Sequence, residues 1–197
     1  NGNTGNTADH FFGTTDAMPV QIRLDSLKAG IWDGANRNYS IGVGALDSLT
    51  TGKGNVAMGQ KALFKDKTGN NNVAVGDSAL LSNTVSGTVA IGSKALRSNT
   101  RGDNNTAVGY QALMNSTTSS NTAIGYKSLS SNTTGFSNTA VGSETLKNNS
   151  SGWVSFGLPI KTQAAFDREK NSMVNTSARL RKMDTRFLPS FMSSPFG

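Results

Sequence analysis

The sequence predicts an all-β fold, a parallel β-solenoid of about seven coils of 16–17 residues each. Residues 38–157 can be written as successive lines with the same pattern: a short strand ending in Gly, a Leu four residues later, and usually a second Gly. A repeat this short is too small for a helix pair or a propeller blade, and it fits one narrow coil with two short strands and two corners. The lines begin at Asn38, Asn55, Asn72, Thr88, Asn105, Asn121, Asn138 and Trp153.

The first strand of each line alternates at period two and is apolar on both faces, which is typical of strands buried on both sides. One face carries the larger side chains, and we expect it to pack against the Leu-bearing strand of the same coil. The other face carries alanines, and we expect it to meet neighbouring subunits. The predicted repeat core is Ile41, Val75, Ile91, Val108, Ile124 and Val141, with Met58 in the same column, and Leu63, Leu80, Leu96, Leu113 and Leu129.

A glycine follows each of these strands, where the chain needs a sharp corner or a close backbone approach that a Cβ would block. These structural glycines are Gly42, Gly59, Gly76, Gly92, Gly109, Gly125 and Gly142. The Asn that opens most lines is expected to form an amide ladder along the stack.

The flanking segments do not follow the repeat. Residues 1–37 are predicted to be a linker and a β-hairpin cap, in which 19–24 pairs with 27–32 across Asp25 and Ser26 and covers the open end of the solenoid. Residues 158–197 are predicted to be a basic segment that is partly helical or extended. Phe166, Met173 and Leu180 are spaced by seven, which fits either a coiled coil or a plain terminal helix.

Composition argues against an enzyme. The chain has a single histidine, His10, in a polar stretch, and no cysteine, so neither a Ser-His-Asp triad nor a thiolate site is indicated. The acidic residues are scattered, and we predict no catalytic residues, metal or cofactor. The net charge of +7 is not accompanied by interleaved aromatics in the repeats, so we expect no nucleic-acid partner. No run of 18 apolar residues occurs, so we expect no membrane insertion.

The lines NTAVGYQAL (105–113) and NTAIGYKSL (121–129) resemble the YadA-type heads of trimeric autotransporter adhesins and the related repeats of bacteriophage tail fibres. The segment FFGTTDAMPVQIRL (11–24) is similar to the hairpin that precedes such repeats in tail-fibre-like proteins. The resemblance implies a left-handed β-roll that forms a homotrimer. It also implies a structural role in a tail fibre or virion appendage, located on the virion or outside the cell.

The same resemblance is also compatible with a second hypothesis, that the chain is a bacterial cell-surface adhesin or an extracellular filament subunit. In either case the implied partners are two further copies of the chain, other fibre or virion proteins at the ends, and a cell-surface receptor. Ice binding is a third, less favoured alternative. It is suggested by Thr106, Thr122 and Thr139, which align across coils. The Thr array is incomplete, since the same column holds Val56, Val73 and Val89 in earlier coils.

Overall fold

The computed structural model describes residues 18–152 and 156–157, and this part of the chain is all-β without a helix. Within it, one sheet contains ten strands in sequence order. They are β1 (Val20–Leu24), β2 (Leu27–Asp33), β3 (Asn38–Ile41), β4 (Val56–Met58), β5 (Val73–Val75), β6 (Val89–Ile91), β7 (Thr106–Val108), β8 (Thr122–Ile124), β9 (Thr139–Val141) and β10 (Phe156–Gly157). The predicted segment 158–197, residues 1–17 and Trp153 lie outside the described residues.

The β-solenoid is confirmed. Each strand from β3 to β9 pairs in parallel with the next one along the chain, so that six turns separate β3 from β9, and β10 pairs with β9. The pairing joins equivalent residues of successive repeats, for example Ala74 with Ala90 and Ala90 with Ala107. One line of the sequence therefore makes one coil, and neighbouring coils are about 4.8 Å apart.

Alanine and leucine fill the interior of the coils. The alanine of each strand, such as Ala107, and the Ala-Leu pair of the following segment, such as Ala112 and Leu113, have no solvent exposure and form one continuous cluster. The predicted core positions Leu63, Leu80, Leu96, Leu113 and Leu129 are thereby confirmed.

The prediction for the other core column was wrong. Its side chains point away from the interior, whereas the alanines that were expected to meet neighbouring subunits point inward. Ile41, Ile91, Ile124 and Val141 are exposed, and Val75 and Val108 are half-buried. The reason is the thickness of the coil: one Leu already occupies the space behind each strand, so only a methyl group fits beside it.

The Leu-bearing segment was predicted to be a second strand, and this too was wrong. It is a series of turns in which the repeat leucines themselves have left-handed backbone, with φ between 48° and 51° from Leu46 to Leu146. Successive coils nevertheless remain hydrogen-bonded here, as where the N–H of Leu63 donates to the carbonyl oxygen of Ala79 at 3.1 Å. The solenoid therefore has a β-sheet along one side only, and its opposite side consists of stacked turns.

The glycine after each strand behaves as predicted. All seven have positive φ, from 122° to 134°. A Cβ at Gly76 would lie 2.6 Å from the carbonyl carbon of Gly92 in the next coil, a distance that side-chain carbons do not reach. The corner therefore requires glycine both for its backbone conformation and for the close approach of adjacent coils.

The opening asparagines form the predicted ladder inside the stack. Asn55 Oδ1 accepts the N–H of Asn72 at 3.0 Å, and Asn121 Oδ1 accepts that of Asn138 at 3.0 Å. Where Thr88 replaces the asparagine, its N–H still donates to Asn72 Oδ1 at 3.0 Å. These bonds satisfy polar groups that the narrow interior would otherwise leave without partners.

The predicted hairpin is also confirmed. Strands β1 and β2 are antiparallel across Asp25 and Ser26, and β2 pairs antiparallel with β3. The hairpin thus extends the sheet at the end where the first coil would otherwise present an open edge.

Candidate association surface

Two columns of side chains run along the outer face of the sheet, and together we call them the outer stripe. Their residues are opposite one another in the strand registers, so each column continues from the hairpin through the coils. The first column is Val20, Trp32, Tyr39, Val56, Val73, Val89, Thr106, Thr122 and Thr139; the second is Ile22, Ile41, Met58, Val75, Ile91, Val108, Ile124 and Val141.

The second column of the outer stripe is apolar, and most of its side chains in the coils are exposed in the single chain. Ile41 is 49% exposed, Met58 45% and Ile124 41%. On the hairpin the second column lacks a side chain at Gly30, and Ile22 fills the gap, because a Cβ at Gly30 would lie 3.3 Å from Ile22 Cδ1. Contiguous exposed apolar area is a common feature of the surfaces through which proteins associate.

The character of the stripe changes along its length. Up to Val89 both columns are apolar, whereas from Thr106 to Thr139 the first column carries hydroxyl groups. These threonines are half-buried. The apolar surface is therefore widest over the hairpin and the first coils, and it narrows to the Ile/Val column in the last ones.

A second surface lies at the corner just after the strands. We call residues Ser93, Lys94, Tyr110, Gln111, Tyr126 and Lys127 the corner ledge. The rings of Tyr110 and Tyr126 stack with centroids 5.7 Å apart and an interplanar angle of 11°, and Lys127 Nζ lies 5.0 Å from the Tyr126 ring centroid. A hydrogen bond with the Tyr126 side chain raises the pKa of Lys127.

A small cavity of about 60 Å³ lies between the hairpin and the first coil, lined by residues that include Lys28, Asp33, Asn36 and Leu46. Lys28 Nζ donates to the carbonyl oxygen of Leu46 at 2.8 Å. Burial lowers the pKa of Lys28, an effect that Asp47 opposes and Arg23 reinforces. The amine is committed to that carbonyl, and the cavity is too small for a drug-sized ligand.

One carboxylate is fully buried inside the solenoid. Asp66 Oδ1 accepts the N–H of Gly69 at 2.7 Å, and its Oδ2 accepts from the Nδ2 atoms of Asn72 and Asn83, both at 3.1 Å. Three donors therefore satisfy the carboxylate. Asp66 stands at the position that Asn83 occupies in the next coil, and it acts as a structural group.

Two further findings concern the described residues alone. They include no cluster of three or more His, Asp or Glu side chains arranged to hold a metal ion. None of their elements is a helix long and apolar enough to cross a membrane. His10, the only histidine of the chain, lies outside this part.

The predicted residues thus fall into three places. The glycines lie at the corners and the leucines in the interior, whereas the Ile and Val column lies on the outer stripe. The corner ledge was not predicted; its signal was the Tyr at the same position of two successive lines, GYQ and GYK. No protein-family model, curated protein or solved structure matches the chain.

Proposed function

We propose that the chain is a structural segment of a homotrimeric fibre, of the kind found in phage tail fibres and virion appendages, that projects from or attaches to a surface. The observation that carries this proposal is the outer stripe. Its second column is apolar from Ile41 to Val141, and three copies related by an axis parallel to the stacking direction would bury it together.

The geometry supports association through the stripe. A single coil buries only one Leu and two Ala in its interior, which amounts to a few kcal/mol at about 25 cal/mol per Å² before entropy is subtracted. Covering Ile41, Met58, Ile91 and Ile124 with their counterparts on another copy would add apolar burial in every coil. A fibre segment of this design needs neither a catalytic group nor a cofactor.

The second candidate is a bacterial cell-surface adhesin or extracellular filament subunit, which would use the same trimeric rod in a different location. Immunogold labelling of intact particles and of cells separates the two, because the label marks a virion appendage in one case and a cell-surface filament in the other. Ice binding has little support, since the Thr column covers only three described coils and its side chains are half-buried.

Sedimentation equilibrium tests the association. We expect a mass about three times the chain mass of 20.6 kDa for the full chain. Ile91→Lys and Ile124→Lys each place a charge in the stripe and should shift the distribution to monomer. Thr100→Lys, which adds the same charge at an exposed loop position, should leave the trimer intact.

A full chain that stays monomeric at micromolar concentration would refute the trimer. So would a trimer that Ile91→Lys, Ile124→Lys and Thr100→Lys leave equally unchanged, because its interface would then lie elsewhere.

A further inference from the structure

The corner ledge combines two exposed stacked aromatic rings with two lysines. Tyr110 is 41% exposed and Tyr126 46% exposed. The N–H of Lys127 donates to the carbonyl oxygen of Tyr110 at 2.9 Å, and the N–H of Gln111 donates to that of Ser93 at 3.0 Å, so the ledge residues of neighbouring coils are stacked on one another. Ring packing and backbone bonds therefore fix the spacing of its side chains.

The lysines alternate with neutral side chains. Lys94 and Lys127 are two coils apart, which places their backbones about 10 Å from each other, and Gln111 lies between them. All three have left-handed backbone, with φ of 60°, 56° and 52° in chain order, at the outer edge of the corner. The same repeat geometry that stacks the coils thus sets a fixed interval between the backbone positions that carry the two lysines.

Acidic groups bound the ledge at both ends. Asp77 lies one coil before Lys94, whose N–H donates to the Asp77 carbonyl oxygen at 2.9 Å. At the other end Glu144 is paired with Lys147 at 2.7 Å. An anionic ligand is therefore favoured only over the three coils between them, a length of about one disaccharide.

We propose that the corner ledge binds a linear polysaccharide that carries one carboxylate per disaccharide. The apolar face of a sugar ring would lie against the exposed tyrosine surface, whose amphipathic rings also offer hydroxyl groups. Successive carboxylates would meet Lys94 and Lys127, and Gln111, whose Nε2 donates to the Tyr110 hydroxyl at 3.1 Å, lies between them to bond sugar hydroxyls. This inference rests on the proposed role in surface attachment, for which it supplies a ligand class.

Binding of hyaluronan oligosaccharides to the full chain, measured by calorimetry, tests the proposal. Because the contacts lie at the protein surface, we expect Lys94→Gln to weaken binding roughly two- to fivefold and Tyr110→Ala roughly three- to tenfold. Lys53→Gln, which removes an exposed lysine outside the ledge, should change the affinity little. Neutral dextran should not bind.

Several results would overturn it: no binding of hyaluronan, binding of single-stranded DNA as tight as that of hyaluronan, or equal losses for Lys53→Gln and Lys94→Gln. Sedimentation of the double variant Tyr110→Ala, Tyr126→Ala separates this proposal from the fibre. If the double variant no longer associates, the ledge is a subunit interface and the ligand assignment is wrong. If the wild-type chain binds hyaluronan as a monomer, the ledge stands and the trimer fails.

Discussion

Alanine, the smallest side chain with a Cβ, sets the thickness of each coil. The strand alanines and the turn leucines have no exposure and form one cluster, so the space between sheet and turns is already full. The larger Ile and Val side chains are consequently turned outward, where they form the outer stripe. Interior packing in each coil thus determines which surface is left for association.

Adding volume at an alanine tests this arrangement. Ala107→Ile should lower the free energy of unfolding by about 1–3 kcal/mol or more, because an overpacked interior must shift its neighbours. Thr106→Ile is the matched control, since it places the same side chain on the opposite face of the same strand, beside Val89. Urea unfolding of both variants gives the measurement. Equal destabilisation by the two changes would show that the strand does not face the interior through Ala107.

The orientation of the strand could not be predicted from its alternation. The pattern in residues such as Ala107 and Val108 shows that they lie on opposite faces, but both faces are apolar and the larger one looked like the core. The number of side chains that fit inside one narrow coil decides which face points inward, and this number depends on the folded coil and not on the local sequence. The corner glycines could be predicted, because their role depends on the backbone alone.

At the scale of elements, the hairpin is the clearest success of the sequence and the Leu-bearing segment the clearest failure. The hairpin has regular alternation on both sides of a short turn, which local signals suffice to identify. The Leu-bearing segment was predicted to be a strand because the repeat is long enough for two strands, yet Leu63 and its equivalents adopt positive φ. No local propensity favours a left-handed backbone for leucine. Burial of the side chain and hydrogen bonds between coils impose this conformation.

Lys28 links the hairpin to the first coil and gives it a pH dependence. Burial lowers the pKa of Lys28 in the folded chain below the 10.5 of the free side chain. Between the two values the unfolded chain binds more protons, so stability contributed through this group rises with pH as pH approaches 10.5. Lys28→Met removes the titrating group, and the rise should disappear with it.

Urea unfolding at pH 7 and pH 10 measures this effect as a difference between variants, which cancels the titration of other groups. The wild-type chain should gain stability relative to Lys28→Met between the two pH values. Lys53→Met is the control for loss of an exposed lysine. A wild-type chain that changes in parallel with Lys28→Met would contradict the assignment.

At the scale of the whole molecule, the solenoid is a one-dimensional stack in which each coil contacts only its neighbours, so its stability is close to a sum over coils and their interfaces. The sequence repeat alone predicts this property, because the repeat length and the strand register do not depend on which face of the strand points inward. The stripe and the Asn ladder follow the same period. The fold should therefore tolerate the deletion of a whole coil but not the deletion of part of a coil.

Deletion of residues 88–104 tests this directly. It removes one coil of 17 residues and joins Gly87 to Asn105. Gly87 then takes the place of Asn104 before Asn105, and both residues have left-handed backbone, with φ of 69° and 55°. Asn105 then takes the ladder position of Thr88 next to Asn72, and the shortened chain should unfold cooperatively with a modest loss of stability. Deletion of 88–96 removes about half a coil, puts strand residues opposite turn residues, and should abolish cooperative unfolding by circular dichroism. If both deletions unfold alike, the coils are not the independent units that the stacking implies.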